Sequence, residues 1–193
     1  MKIEKLLQNK KILIDGPAKK IETINYDDFD YVIKLNQNFK DEDYDILYHN
    51  MCSSCINLND FNNVIKHIKK YDKMLFLPYP EIYPFKSNYY EKIKQSGIKY
   101  HIINLETYNK YKINTRLNTG LLSLIDMLDF NVNSIFITNF TFYETEYDKS
   151  YYNAKISLKL HNQELQKELL KKILEENKHV NVDNRIKEIL KIK

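Results

Sequence analysis

Six short apolar runs, separated by helical patterns, constrain the fold of this chain more than any other feature of its sequence. The runs comprise residues 11–15, 31–35, 45–48, 74–77, 100–103 and 134–138. Several of them are almost continuously apolar, which is typical of strands that are buried on both faces of a parallel sheet. We therefore expect six strands at the centre of the fold.

Amphipathic helical patterns lie between these runs and after the last of them. They comprise residues 60–70, 89–95, 119–128, 163–176 and 184–191. Gly97 follows the second pattern, where it can end the helix as a C-terminal cap. Strands that alternate with helices predict an α/β fold, here a single Rossmann-like, doubly wound domain over residues 1–193 with a mostly parallel sheet. Such sheets bind ligands at the carboxyl ends of their strands, near a switch in strand order.

Charge and hydropathy argue against several classes of protein. The net charge is +4, from 30 basic and 26 acidic side chains spread along the chain, which argues against a nucleic-acid partner. No apolar run is long enough to span a bilayer, and residues 1–11 lack an apolar signal-peptide stretch. The sequence therefore predicts a cytoplasmic protein. Its 16 tyrosines are explained by A- and T-rich coding DNA, and where exposed they favour a homo-oligomer.

The two cysteines, Cys52 and Cys55, form a lone C-x-x-C. A redox pair or half of a zinc site would fit that spacing. A second pair of cysteines or histidines at suitable spacing is missing from the sequence. We therefore interpret Cys52 and Cys55 as two reduced thiols in a loop, and the sequence predicts no metal site.

The first candidate binding site follows the first strand, at Asp15-Gly16-Pro17. We expect a strand–turn–helix here, in which glycine lets a phosphate or ribose approach the backbone. Proline fits the first turn of the expected helix, whose N-terminus would favour an anion. A plain turn between a strand and a helix is the alternative.

Asparagines follow the second and third strands. Asn36 ends the second strand segment and Asn50 lies just past the third. A side-chain amide both donates and accepts hydrogen bonds, so these residues are candidates for contacts to a base or a sugar. Turn formation is the alternative for both.

A polar loop, residues 114–120, leads into the helix that begins near Thr119. Asn118 or Thr119 can cap that helix, and the free amides beyond the cap can bind an anion. Arg116 is one of two arginines in a lysine-rich chain, which indicates a need for planar, forked hydrogen bonding. Gly120 stands where a ligand would approach the backbone, although a cap without a ligand remains the alternative.

The candidate catalytic residues come late in the sequence. Tyr143 and Tyr147 follow the sixth strand, and their hydroxyls could hydrogen-bond a leaving phosphate as it gains charge. His161 precedes the longest helix, and histidine is suited to remove a proton from a hydroxyl near neutral pH. A histidine that caps the helix or lies on the surface is the alternative.

In this order, these residues resemble the motifs of sialyltransferases, most closely those of the bacterial family 42 enzymes, with a layout similar to the eukaryotic family 29 enzymes. The family has Asn-Gly-Pro-Ser after its first strand, Asp-Phe-Asp and Asn-Gln in the second segment, and Asn-x-Arg-x-Thr-Ser-Gly before a helix. It then has Asp-Phe-Tyr after a strand and a histidine before an amphipathic helix. The corresponding segments are residues 15–18, 28–37, 114–120 and 141–143, with His161 last.

The resemblance implies transfer of a sugar from a CMP-sugar donor to a hydroxyl of a glycan or glycolipid acceptor. It implies an inverting, metal-independent displacement with no cofactor, and it leaves room for peripheral contact with a membrane. It implies these nucleotide-binding residues: Asp15, Gly16, Asn36, Asn50, Thr119, Gly120 and Asn139. His161 would be the general base, Tyr143 with Tyr147 or Tyr151 would bind the leaving phosphate, and Arg116 would stabilise charge on the donor or acceptor.

Some positions depart from the family pattern, and three of these departures bear on the expected chemistry. Asp15 replaces an asparagine, Asn139 stands where glycine is usual, and Thr141 stands where aspartate is usual. The stretch between Tyr143 and His161 is also shorter than the family's lid. These departures motivate a second hypothesis, a catalytically inactive relative that binds a nucleotide or glycan. A third is an unrelated small α/β protein.

Overall fold

The computed structural model describes residues 3–36, 43–50, 58–79, 88–144 and 161–193. Seven strands form one sheet, and every described pair of neighbouring strands is parallel. The strands are β1 (Lys11–Asp15), β2 (Tyr31–Leu35), β3 (Ile46–Tyr48), β4 (Met74–Leu77), β5 (Lys99–Ile102), β6 (Ser134–Thr138) and β7 (Val180–Val182). Their order across the sheet is β5-β4-β3-β2-β1-β6-β7.

Helices connect the strands. They are α1 (Ile3–Leu7), α2 (Leu58–Lys70), α3 (Asn88–Ser96), α4 (Leu105–Lys110), α5 (Thr119–Met127), α6 (Gln163–Glu176) and α7 (Asn184–Leu190). A short 3-10 helix, Tyr26–Asp28, precedes β2. Gly97 follows α3 with a φ of 73°, as expected for a residue that ends a helix in the left-handed region.

The predicted α/β fold with a parallel sheet is confirmed. The six predicted strands all occur, with ends that differ by no more than one residue from those expected. The seventh strand, β7, was not predicted because it is only three residues long and its central residue, Asn181, is polar. The short helices α1 and α4 were also not predicted.

The core lies on both faces of the sheet because successive residues of a strand point to opposite sides. Ile12 and Ile14 of β1 pack in a buried cluster with apolar residues of α5, α6 and α7. Leu13, between them, belongs to a second cluster that contains residues of α2 and α3. This double covering explains why the strands are almost continuously apolar.

The strand order switches direction at β1. From β1 the chain builds outward through β2, β3 and β4 to β5, and it then returns to add β6 and β7 on the other side of β1. The loops that follow β1 and β6 therefore leave the sheet side by side at its carboxyl edge. Ligands bind to doubly wound sheets in the crevice at such a point.

The prediction of a helix after Pro17 is wrong. Residues 16–25 contain no helix, and the first helical turn is the 3-10 helix at Tyr26. The amide of Gly16 donates to the carbonyl of Thr138 at 2.8 Å, and the amide of Ala18 donates to that of Asn139 at 3.0 Å. These bonds keep the segment beside the end of β6, so it cannot coil into a helix.

Within the ranges that the structure describes, no helix is both long enough and apolar enough to cross a bilayer.

Candidate functional site

Three predicted binding residues from separate elements meet at the carboxyl edge of the sheet. The side-chain amides of Asn36 and Asn50 donate to the hydroxyl oxygen of Thr119, at 3.0 and 3.1 Å. The side-chain carbonyl of Asn36 accepts from the backbone amide of Asn50 at 3.1 Å. The ends of β2 and β3 and the start of α5 are thereby joined into one polar cluster.

A small cleft opens beside this cluster. It is lined by Pro17, Leu35, Asn36, Asn118, Thr119, Gly120, Phe140 and Tyr143. Its volume is about 20 Å³, far below the range of about 300–1,000 Å³ usual for ligand sites, so the cleft would have to widen to admit a nucleotide. Four of the residues predicted from the sequence line it, namely Asn36, Thr119, Gly120 and Tyr143.

The start of α5 presents unused hydrogen-bond donors near the cleft. The side-chain carbonyl of Asn118 caps the helix by accepting from the amide of Leu121 at 2.9 Å. The backbone amide of Asn118 donates to the side-chain carbonyl of Gln166 at 2.9 Å. The side-chain nitrogens of Asn118 and Gln166 are buried and have no hydrogen-bond partner among the described residues. Buried amides normally find partners, so these two donors could bind the acceptor atoms of an anion.

Gln166 was missed by sequence reasoning. It lies in the amphipathic helix α6, where a polar residue is usually exposed, yet it is only 1% exposed. Its contact with Asn118 joins residues 48 positions apart in the chain. The spacing was a signal for it, because Gln166 precedes Leu169, Leu170 and Ile173 by three, four and seven positions and so lies on the buried face of the helix.

His161 lies beside Tyr143 and is held by the backbone of Arg116. Its Nδ1 lies 2.6 Å from the carbonyl oxygen of Arg116, and its ring stacks on that of Tyr143 with the centroids 5.9 Å apart. A carbonyl oxygen only accepts, so Nδ1 carries the proton. In the neutral ring the lone pair is then on Nε2, the tautomer that a general base needs.

Burial keeps the His161 ring neutral. Loss of water around the ring is the largest cause that lowers the pKa of His161 below its ordinary value. The hydrogen bond to the carbonyl of Arg116 raises that pKa, whereas the guanidinium charge of Arg116 lowers it further. The net result favours the unprotonated form at neutral pH, which is the form that accepts a proton.

The loop after β6 has an unusual backbone. Asn139, Phe142 and Tyr143 have φ values of 53°, 50° and 68°. Asparagine tolerates the left-handed region, but a bulky residue there is an outlier, and such residues persist only where the surroundings hold them. Phe142 is fully buried and its ring lies 4.6 Å from that of Phe140. Packing therefore holds the loop in the shape that brings Tyr143 to the cleft.

The other predicted binding residues of β1 and β6 lie behind the cleft. The carboxylate of Asp15 is fully buried, and its oxygens accept from Lys34, Tyr26 and the side-chain amide of Asn139. A Cβ on Gly16 would lie 2.2 Å from the carbonyl oxygen of Asn139, so glycine is required by the close approach of the two loops. Among the described residues that line the cleft, Asp15, Gly16 and Asn139 do not occur.

Lys34 was also missed, although the sequence carried a signal for it. It is the one charged residue in the predicted strand Tyr31–Leu35, and a charge in a strand buried on both faces needs a partner. It is 1% exposed and is the register partner of Asp15 in the pairing of β1 with β2.

Some predicted residues lie outside the described ranges. They are Tyr147, Tyr151, Gln37, Cys52 and Cys55. Arg116 is described, and its backbone carbonyl and its charge both act on His161. Within the described ranges, no group of three His, Cys, Asp or Glu side chains is arranged to hold a metal ion.

Comparison with known proteins gives two similar solved structures. No protein-family model and no curated protein matches the chain. The sialyltransferase CstII from Campylobacter jejuni, in complex with the substrate analogue cytidine-5'-monophosphate, is similar with a TM-score of 0.61. It is 15% identical, over 91% of this chain and 79% of that chain. The sialyltransferase CST-II in complex with a trisaccharide acceptor and CMP has a TM-score of 0.57 and 12% identity, over 90% of this chain and 80% of that chain. The chain therefore has the α/β fold of these sialyltransferases.

Proposed function

We propose that this protein is a glycosyltransferase of the sialyltransferase type, related to the bacterial family 42 enzymes. It transfers a sialic-acid-like sugar from a CMP-sugar to a hydroxyl of a glycan or glycolipid. The observation that most supports the proposal is that the expected nucleotide-binding and catalytic residues meet at one edge of the sheet. Asn36, Asn50 and Thr119 form one cluster, and Tyr143 lines the adjoining cleft and stacks on His161.

The polar cluster is suited to hold the nucleotide. Amides and hydroxyls such as those of Asn36, Asn50 and Thr119 match the donors and acceptors of a ribose or a base. The start of α5 adds the dipole of the helix and the unused donor of Asn118, and α6 adds the unused donor of Gln166. In the proposed complex the start of α5 and these two amide nitrogens face the phosphate of the CMP-sugar.

His161 and Tyr143 would carry the displacement. Nε2 of His161 takes the proton of the acceptor hydroxyl as the hydroxyl oxygen bonds to the anomeric carbon. The bond from that carbon to the phosphate oxygen breaks, and CMP leaves with the electron pair. The hydroxyl of Tyr143 donates to the phosphate as negative charge develops on it, which stabilises the transition state. Attack and departure on opposite sides of the carbon invert its configuration.

The test is calorimetric titration of the protein with CMP, and with UMP as the matched control. We expect CMP to bind more tightly than UMP, and a CMP-sugar to be hydrolysed slowly when no acceptor is present. Binding should also raise the melting temperature, because a ligand that binds only the folded state stabilises it by mass action. Absence of binding by both nucleotides would overturn the proposal.

An inactive relative that binds a nucleotide or glycan is the second candidate. It is favoured by the hydrogen bonds that Asp15 accepts from Lys34 and Asn139, at the position where the sialyltransferase motif has an asparagine. This candidate predicts binding of CMP without hydrolysis or transfer for any CMP-sugar. Measured turnover that is lost on substitution of His161 would exclude it.

A further inference from the structure

Two fully buried charged side chains have no part in the proposed displacement. Asp15 and Lys34 are 0% and 1% exposed, and they face each other as register partners at the ends of β1 and β2. The ammonium of Lys34 donates to the carboxylate of Asp15 and to the hydroxyl oxygen of Tyr26, the latter at 2.7 Å. The hydroxyl of Tyr26 donates to the same carboxylate oxygen of Asp15.

The second oxygen of Asp15 reaches the loop after β6. It accepts from the side-chain amide of Asn139 at 2.7 Å, across 124 positions of the chain. The backbone of Asn139 is held as well, because its amide donates to Asp183 at 2.9 Å and its carbonyl accepts from Ala18 at 3.0 Å. Asn139 is the first residue of the segment 139–144, which carries Tyr143.

Asp15 and Asn139 are also two of the positions at which the chain departs from the sialyltransferase motif. The carboxylate of Asp15 replaces an amide, and a buried carboxylate requires a counter-charge, which Lys34 provides. Asn139 replaces a glycine, and asparagine is among the few residues that accept a φ of 53° while adding a hydrogen-bond donor. The two departures compensate each other, since the new donor bonds to the new acceptor.

We propose that Asp15, Lys34 and Tyr26 are positioning residues that act through Asn139 on the segment 139–144, and so place Tyr143 at the cleft. Asp15 therefore does not contact the nucleotide, unlike the asparagine of the motif. The catalytic consequence rests on the proposed function, whereas the positioning itself does not. Tyr26 and Asn139 line a pocket of their own with residues 20–24, beside the cleft that Tyr143 lines.

A double-mutant cycle tests the coupling directly. Asn139→Gly removes the donor but still allows the positive φ, and Asp15→Asn removes the charge that Lys34 compensates. We expect each change to speed hydrogen exchange of the amides in residues 139–144 by about tenfold, the equivalent of losing a hydrogen bond to a charged group. The double variant should exchange no faster than the faster single variant, because both changes act on one shared contact: one removes its donor, and the other removes the charge that strengthens it.

Two further variants keep the test decisive. Asp15→Asn leaves the buried ammonium of Lys34 without a counter-charge and could prevent folding, so Tyr26→Phe, which removes a single hydroxyl, is measured beside it. The control is Asp30→Asn, the same change at the opposite end of β1, where Asp30 pairs with Lys10 at 3.0 Å on the surface. Asp30→Asn should leave exchange of residues 139–144 at the wild-type rate, and Tyr26→Phe should raise it.

Kinetics then separate positioning from a purely structural role. Misplacement of a catalytic group by a small distance can cost on the order of 100-fold in rate. We expect Asn139→Gly to lower kcat for a CMP-sugar by tenfold or more, with KM and the affinity for CMP changed less than about threefold. The positioning role would be overturned if hydrogen exchange in residues 139–144 stayed at the wild-type rate in the single variants. It would also be overturned if the effects of the two single changes added in the double variant. If the wild-type protein binds no nucleotide, the proposed function fails, and the exchange measurements still decide the role of the network.

Discussion

At the scale of single residues, His161 has the features of a general base. The carbonyl of Arg116 fixes its tautomer, and burial lowers its pKa. A histidine with a lowered pKa is unprotonated over a wider range of pH, although its unprotonated ring binds a proton less strongly. Its stacking on Tyr143 links the base to the residue expected to bind the leaving phosphate.

The first prediction concerns the rate. His161→Ala should lower kcat for sugar transfer by about 10²–10⁴, because removal of a general base costs that much. In the wild-type protein kcat/KM should fall with acid only below the ordinary histidine pKa of about 6.5, since the pKa of His161 is lowered. Initial rates from pH 5 to pH 8 measure both effects, and an acid limb centred above 7 would contradict the assignment.

The second prediction concerns stability and His49. Burial lowers the pKa of His49 to about 4, so between pH 6.5 and 4 the unfolded chain binds a proton that the folded chain does not. The free energy of unfolding should therefore decrease by about 2–3 kcal/mol in total as the pH is lowered over this range. Urea denaturation at several pH values measures it, with His49→Asn as the comparison. The variant should be less stable at pH 7 but should lose less stability on acidification, and an unchanged slope would exclude His49 as the cause.

At the scale of elements, α5 is the part of the fold that serves both the core and the site. All nine of its residues, Thr119–Met127, are buried. Asn118 caps it at the end that borders the cleft. Its far end is anchored by Asp126, whose carboxylate lies 2.9 Å from Nε2 of His101. The polar start of α5 is therefore held in place by the packing of the whole helix.

The third prediction belongs to this element. A Cβ at Gly120 would lie 2.8 Å from the ring of Phe140, so Gly120→Ala should cost about 1–3 kcal/mol of stability through overpacking. Gly97→Ala is the matched control, because nothing lies within 4 Å of its Cβ and the cost of about 1 kcal/mol comes from its φ of 73°. Adding Phe140→Leu should restore part of the stability of Gly120→Ala, and should not do so for Gly97→Ala. Urea denaturation of the four variants distinguishes the two causes.

At the scale of the whole molecule, the switch in strand order brings together the loops after β1 and β6. They are more than 120 positions apart in the chain, yet the backbone at Gly16 abuts that at Asn139. Asp183, from the segment after β7, accepts from Thr138 and from the amide of Asn139 at 2.8 and 2.9 Å. The three segments that follow β1, β6 and β7 thus bond to one another at the carboxyl edge of the sheet.

The fourth prediction tests this contact. Gly16→Ala would place a methyl group 2.2 Å from the carbonyl oxygen of Asn139, which is backbone and cannot rotate away. We expect a loss of about 3 kcal/mol or more in stability, at the upper end of overpacking costs. Affinity for CMP should also fall, because Pro17, the residue after Gly16, lines the cleft. Calorimetry and urea denaturation of the same preparation measure both, and a fully stable variant would show that the two loops separate easily.

The site was only partly predictable. The positions of Asn36, Thr119 and Tyr143 at the cleft follow from polar residues that end buried strands or begin a buried helix, and both features are local patterns. The supporting roles of Asp15 and Asn139 do not follow from such patterns. They depend on which loop lies beside which, and that is set by strand order.

The sequence by itself determined the α/β fold and its parallel sheet, because the period and continuity of apolar residues are properties of neighbouring positions. Only the tertiary structure decided which strand ends meet. It placed Lys34 opposite Asp15, buried Gln166 against Asn118, and added β7 to the edge. The physical reason is that a buried charge or amide is stable only with a partner, and that partner is supplied by a segment distant in the chain.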